Sequence, residues 1–283
     1  FEIIKDTFTS FFKENSFFHG AALSYYTIFA LVPLLYLAFA TFGKIVGNEK
    51  LREIIGDLLK DQVGIEDISG ILTFLDGVDL AGGSFVMQII GIVVFLISAT
   101  ALFGALRNSI NAFYGIERIY DTNQKLILSH LISRLVSVSI LTLIGVVVIV
   151  IYFAQTMLLS FGHYLLGDTG AVYSVSTFLF EHGLSVCSNI IIFTFIFKYL
   201  NDGVLTWKVA LRGATITAIL LYFGQLLIKY YLSNYFFAAD GGIAGTLLVL
   251  LAWMYYSSQI IFFGARYTAV YAEKIGQPIV ARK

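Results

Sequence analysis

Tyr255, Gln259, Phe262 and Arg266 recur at i, i+4, i+7 and i+11, a spacing that lines one helix face with a ring, an amide, a second ring and a cation. Such a face can hold the head group of an amphiphile. Other uncharged polar side chains sit in apolar surroundings: Ser24, Tyr25, Tyr26, Thr27, Tyr36, Gln88, Gln155, Asn189, Gln225, Tyr256, Ser257 and Ser258. Two readings fit them. They form hydrogen bonds between helices, each worth about 0.6 kcal/mol in a bilayer, or they line a polar cavity. The residues assigned to substrate contact are Tyr25, Tyr26, Tyr36, Asn189, Gln225, Tyr255, Gln259 and Arg266.

Ionisable groups give a shorter inventory. Glu181 beside His182 is the candidate protonatable site if its helix begins earlier than the apolar run suggests; otherwise it is an interfacial carboxylate. Arg107 and Lys274, with Arg266, could meet phosphate head groups, or could anchor topology. Pro33 removes an amide donor and leaves the Phe29 carbonyl without its helical partner, which predicts a kink. Gly241, Gly242 and Gly245 have the spacing that lets helices approach closely.

Catalytic chemistry is poorly supplied. The sequence has no G-x-S-x-G elbow, P-loop, H-E-x-x-H or C-x-x-C. Its single Cys187 excludes an intramolecular disulfide, and His19, His130, His163 and His182 are scattered, so neither metal nor cofactor is expected. Eighteen basic residues balance eighteen acidic ones, and no basic patch points to nucleic acid. The inventory therefore argues against an enzyme. Phe1 to Asp6 have no basic stretch ahead of a short apolar core, so no signal peptide is expected there.

The elements that must position these residues follow from composition. Of 283 residues, 58% are apolar and 13% charged, and the mean hydropathy is +0.85. A water-facing surface of this size needs about a quarter charged residues, so the solvent for most of the chain is lipid. Charge-free runs predict an all-α, polytopic membrane protein with six transmembrane helices, at about 20–43, 83–106, 135–163, 182–200, 210–230 and 241–265. They form a single domain. Thirteen Lys and Arg fall on the side of the termini and five on the other, so the positive-inside rule makes both termini cytoplasmic.

The largest extramembrane piece is then the outer loop 44–84. Leu51, Ile54, Ile55, Leu58 and Leu59 repeat at helical spacing opposite Arg52, Glu53, Asp57, Lys60 and Asp61, and a second stripe follows from Ile65 to Leu75. Two short amphipathic helices are predicted, acting as a packed cap or as a lid and docking platform.

Three stretches carry a family likeness: Ala21–Leu35 (AALSYYTIFALVPLL), Ala101–Gly115 (ALFGALRNSINAFYG) and Gly241–Ala272 (GGIAGTLLVLLAWMYYSSQIIFFGARYTAVYA). Together they resemble the YihY/BrkB family of bacterial inner-membrane proteins, historically labelled both virulence factor and ribonuclease BN. The resemblance implies six helices in the inner membrane and a link to envelope and lipid export. It also implies an acidic residue where this chain carries Arg266. The ribonuclease label fails on residues, because a zinc nuclease needs clustered His and Asp ligands. The expected function is a transporter or translocator of an amphiphilic, lipid or lipid-linked substrate; the alternative is a membrane scaffold binding envelope proteins through the outer loop. Membrane lipids are the expected partners, and a homo-oligomer is compatible with the sequence.

Overall fold

The structure is a computed structural model that describes residues 2–63, 85–116, 150, 157, 171–235 and 242–281. Within these residues the chain forms α1 (Glu2–Phe11), a 3-10 turn (Phe12–Glu14), α2 (Ser16–Val46), α3 (Asn48–Val63), α4 (Phe85–Phe113), α5 (Ala171–Tyr199), β1 (Gly203–Val204), α6 (Trp207–Tyr235), α7 (Gly242–Lys274) and β2 (Val280–Ala281). Five helices are long and apolar enough to cross a membrane, over Ser16–Tyr36, Ile89–Phe113, His182–Tyr199, Trp207–Tyr231 and Ala244–Lys274. They correspond to five of the six expected spans. The run 135–163 lies outside the described residues apart from Val150 and Met157.

Each of these helices outruns the charge-free stretch that announced it. Arg107 lies inside α4, Lys198 inside α5, Lys208 and Arg212 inside α6, and Arg266 and Lys274 inside α7. The physical reason is that a charge-free run measures hydrocarbon thickness, whereas an α-helix continues for as long as its side chains find packing partners. At 33 residues, α7 extends about 50 Å, well beyond a core of roughly 30 Å. The early start of α5 at Ala171 places Glu181 within the helix. Counted back from Lys198 at 1.5 Å per residue, Glu181 lies about 26 Å away, close to the opposite margin of such a core. Pro33 is buried, and α2 runs through it from Ser16 to Val46 without a break.

The chain divides into two compact units. One comprises Asn15–Leu106 and Phe223–Ile260. Its core is built by Phe39, Leu51, Val249, Leu250 and Trp253, edged by Leu31, Leu35, Ile55, Ile228, Met254 and Tyr256. Leu31, Leu35 and Phe39 are one stripe of α2, while Leu51 and Ile55 are the stripe expected of the outer loop. That loop's first helix is therefore α3, which packs on α2 and α7 while Glu53 and Asp57 stay exposed. Gly47, with φ of 93°, makes the turn between α2 and α3, where a side chain would be strained. The second expected amphipathic stripe, from Ile65 to Leu75, lies outside the described residues.

The other unit comprises Phe1–Glu14, Arg107–Tyr222 and Ile261–Lys283. An aromatic stack holds it: Phe113 lies on Phe262 with centroids 5.1 Å apart, Phe11 on Phe113 at 5.6 Å, and Phe263 meets the edge of Phe11 at 5.7 Å. Phe113, Phe197 and Phe262 are fully buried. β1 and β2 pair antiparallel, Gly203 with Ala281 and Val204 with Val280.

Candidate functional site

The polar face predicted on the last helix divides between the two units. In the first, Gln259 Nε2 donates to the Ser16 carbonyl at 3.1 Å. Gly20 makes this possible, because a Cβ there would fall closer than 3.0 Å to Gln259 Nε2 and 3.3 Å from the Tyr255 ring. In this cluster Gln259 Oε1 and Ser16 Oγ are buried without a hydrogen-bond partner among the described residues. A buried polar atom normally finds one, so this is where water or a hydroxylated ligand would be taken up. Ser24, on the same face of α2, instead donates back to the Gly20 carbonyl at 2.8 Å.

Tyr25 and Tyr36 do not join that cluster. Tyr25 follows Gly20 by five residues, about 140° around a helix, and it is 56% exposed. It stacks on Phe29 at 4.5 Å and meets Tyr26 edge-on at 5.7 Å. Tyr25, Phe29 and Tyr36 thus lie on a face of α2 turned away from α7. The single groove expected between the first and last spans is resolved into an internal amide cluster and an outward aromatic rail. Asn189 on α5 and Gln225 on α6 are half-buried. Glu181 is inside α5, and its side chain lies outside the described set.

In the second unit Phe262 is consumed by the aromatic stack, and Arg266 by two hydrogen bonds. Its Nε donates to Ser10 Oγ at 2.9 Å, and its Nη1 donates to the Phe113 carbonyl at 3.2 Å. Phe113 closes α4, where Gly115 at φ 70° lets Ile116 N reach the Asn111 carbonyl at 2.9 Å and end the helix. Arg266 therefore satisfies an orphan carbonyl at the negative end of a helix dipole. Both other cations assigned to head groups also have partners within the chain. Lys274 pairs with Glu2 at 3.1 Å and Asp6 at 3.0 Å. Arg107 pairs with Asp202.

That last pair belongs to a knot of amides. Asn111 Nδ2 donates to Asp202 Oδ2 at 2.5 Å, and Asp202 N donates to Asn111 Oδ1 at 2.9 Å. Asn201 Nδ2 donates to the Phe197 carbonyl at 2.5 Å, and Asn201 Oδ1 accepts from Gly203 N at 2.7 Å. Burial pushes the nearby Tyr114 phenol well above its ordinary range, so it stays protonated and donates to the Phe197 carbonyl.

Residues 7–283 match the family described as Virulence factor BrkB. The chain belongs to the BrkB family. It is 20% identical to a UPF0761 membrane protein of Rhodospirillum centenum over 96% of this chain and 57% of that protein. A UPF0761 membrane protein of Alkalilimnicola ehrlichii is 23% identical over 90% of this chain and 54% of its own length. One from Psychromonas ingrahamii is 28% identical, covering 94% of this chain and 86% of itself. The chain thus spans a little over half the length of the first two relatives. No solved structure matches it. This BrkB-family chain is a multi-pass membrane protein.

Sequence reasoning passed over Ser16, Gly20, Asn111, Asn201 and Asp202. Arg107 and Asn111 share a face at i, i+4, and Asn201-Asp202-Gly203 is a turn signature, so both halves of the knot carried a signal. Their pairing across 95 positions carried none.

Proposed function

We propose that this BrkB-family protein moves an amphiphile, a lipid or lipid-linked molecule, across a bacterial inner membrane without enzymatic chemistry. The observation that carries this reading is the Tyr25–Tyr26–Phe29 rail. Tyr25 stands nine residues beyond Ser16, about 13 Å into a span that needs roughly 30 Å. Two phenol groups exposed at that depth would meet only acyl chains, where an unsatisfied hydroxyl costs several kcal/mol. A polar head group travelling along the rail satisfies them, while its tails stay in the lipid. The uncharged character of the rail, and of the Gln259–Ser16 cluster, suits a passenger that is not driven by a buried ion-coupling charge.

Purified protein in liposomes containing a fluorescent-headed lipid should make the outer-leaflet pool exchange with the inner one. Tyr25→Phe/Tyr26→Phe should slow that exchange about tenfold, the rate equivalent of roughly 1.4 kcal/mol, while thermal stability does not fall. Wild-type protein that moves none of a broad lipid panel removes this reading.

A scaffold is the second reading, and one observation favours it: Glu49, Glu53 and Asp57 stand exposed at i, i+4 and i+8 on α3. Because Leu51 and Ile55 of the same helix belong to the core, the test neutralises the acids instead of deleting the loop. Glu53→Gln/Asp57→Asn should abolish recovery of envelope proteins in pull-downs if α3 recruits them; unchanged recovery excludes it.

A further inference from the structure

Arg107, Arg266 and Lys274 find partners inside the protein; Lys208 and Arg212 do not. Their side chains are exposed on α6 and form no ion pair or hydrogen bond among the described residues. The Arg212 guanidinium lies instead over the buried ring of Tyr271, 4.8 Å from its centroid. Stacking on a ring fixes the guanidinium plane and leaves its N–H edge open to an acceptor. Lys198 brings a third charge to the same end of α6. It lies 5.8 Å from the ring centroid of Trp207, the residue before Lys208, and donates to the Leu205 carbonyl, not to a carboxylate. Of this unit's described carboxylates, Glu2 and Asp6 hold Lys274, and Asp202 holds Arg107. Glu14 belongs to the turn after α1, and Glu273 follows Tyr271 by two residues, about 200° round α7.

The helix face that carries the two cations is apolar beyond them. Counted at 100° per residue, Leu211, Lys208, Ile219 and Arg212 fall within about 100° of one another around α6, whereas Val209, Ala210, Gly213 and Thr217 are buried on the other side. Leu211 and Ile219 are 49% and 39% exposed, and Ile219 lies about 10 Å further along the helix than Arg212. A candidate membrane span begins at Trp207, whose indole is exposed. The cations therefore stand at the margin of the hydrocarbon, and the apolar side chains lead into it. Long cationic side chains at such a margin extend toward the phosphates.

We propose that Lys208 and Arg212 hold one anionic phospholipid, with its phosphate between the ammonium and the guanidinium and an acyl chain along Leu211 and Ile219. A soluble phosphate would use the cations alone; the apolar track assigns the ligand to a lipid. The site shares no residue with the Tyr25 rail. It would be occupied equally in a transporter and in a scaffold.

The test counts lipids on the whole chain by native mass spectrometry in a neutral detergent, with phosphatidylglycerol, phosphatidylcholine and glycerol 3-phosphate as probes. The first phosphatidylglycerol should bind at least about tenfold more weakly to Lys208→Gln/Arg212→Gln than to the wild type. Phosphatidylcholine, whose phosphate carries its own cation, should bind both proteins alike. Lys5→Gln/Lys13→Gln removes two exposed cations elsewhere in the same unit and should leave the first phosphatidylglycerol in place. If the double variant at 208 and 212 is not recovered folded, Lys208→Gln alone should still show a loss of about threefold. Equal phosphatidylglycerol affinity in the wild type and these variants would overturn the proposal. So would an equal loss in Lys5→Gln/Lys13→Gln, since a diffuse field and not a site would then hold the lipid. Glycerol 3-phosphate that displaces phosphatidylglycerol at matching concentration would also overturn it, handing the cations to a soluble phosphate.

Discussion

Gly213→Ala and Gly264→Ala are each expected to destabilise the detergent-solubilised protein by about 3 kcal/mol, and each to be partly rescued by truncating a threonine on the facing helix. The two glycines form a reciprocal lock. Thr268 of α7 sits on Gly213 of α6, and Thr217 of α6 sits on Gly264 of α7. In both cases a Cβ added to the glycine would fall well inside 3.0 Å of the threonine Oγ1. The threonines cannot swing aside without loss, because Thr217 Oγ1 donates to the Gly213 carbonyl at 2.8 Å and Thr268 Oγ1 to the Gly264 carbonyl at 2.7 Å. One methyl group must therefore push the helices apart. Between helices in lipid, close packing supplies much of the association energy, so the loss is not offset by apolar burial. Melting midpoints should fall by on the order of 5–10 °C for either single variant. Gly213→Ala/Thr268→Ala and Gly264→Ala/Thr217→Ala should each recover at least half of that. Single variants that melt with the wild type would show that the helices do not meet there.

This lock marks the boundary of what the residue pattern could reveal. The solvent, the helical class and five of the spans were legible, because long runs without charge have one physical meaning in a chain this apolar. The amphipathic period of α3 was legible for the same kind of reason: Leu51 and Ile55 can share a core only on one face of a helix. Glycines were harder to read. Gly241 and Gly245 show the familiar spacing, and Gly241 lies outside the described residues; tight approaches are made at Gly213 and Gly264, each followed four positions later by threonine. Small residues at that interval are common in apolar helices, and which pair of them meets depends on the register of two helices, which no single segment encodes.

Cations were hard to read for a related reason. Arg107, Arg266 and Lys274 are charges at the ends of apolar runs, and any such charge can be read as a head-group contact. The structure instead gives each a partner from a distant stretch: Asp202, Ser10 with the Phe113 carbonyl, and Glu2 with Asp6. Likewise, Tyr25 and Gln259 are both polar within apolar helices, which by itself points to one groove. The 140° between Gly20 and Tyr25 was already present in the numbering; what was missing was that Gly20, and not Tyr25, is the residue that meets Gln259.

Asp202→Ala is expected to cost about 3 kcal/mol, Arg107→Ala about the same, and the double variant at least 1 kcal/mol less than their sum. Asp202 accepts from both Arg107 and Asn111, and it fixes the turn through which α5 passes into β1. The arginine and aspartate side chains are 17% and 28% exposed, so their Coulomb attraction is partly screened and the larger share comes from charge-assisted hydrogen bonds. Removing the carboxylate takes one acceptor from a half-buried guanidinium and one from the Asn111 amide, and it frees the Asn201–Val204 turn. Asp202→Asn keeps an acceptor of the same shape and should cost about half as much. Protease susceptibility around residues 200–206 should rise with Asp202→Ala and much less with Asp202→Asn. A head-group role for Arg107 makes the opposite forecast: Arg107→Ala would weaken association with anionic lipid, and its stability loss would simply add to that of Asp202→Ala. Additive costs in detergent, where no anionic lipid is present, would therefore dismantle the internal pair and return Arg107 to the membrane surface.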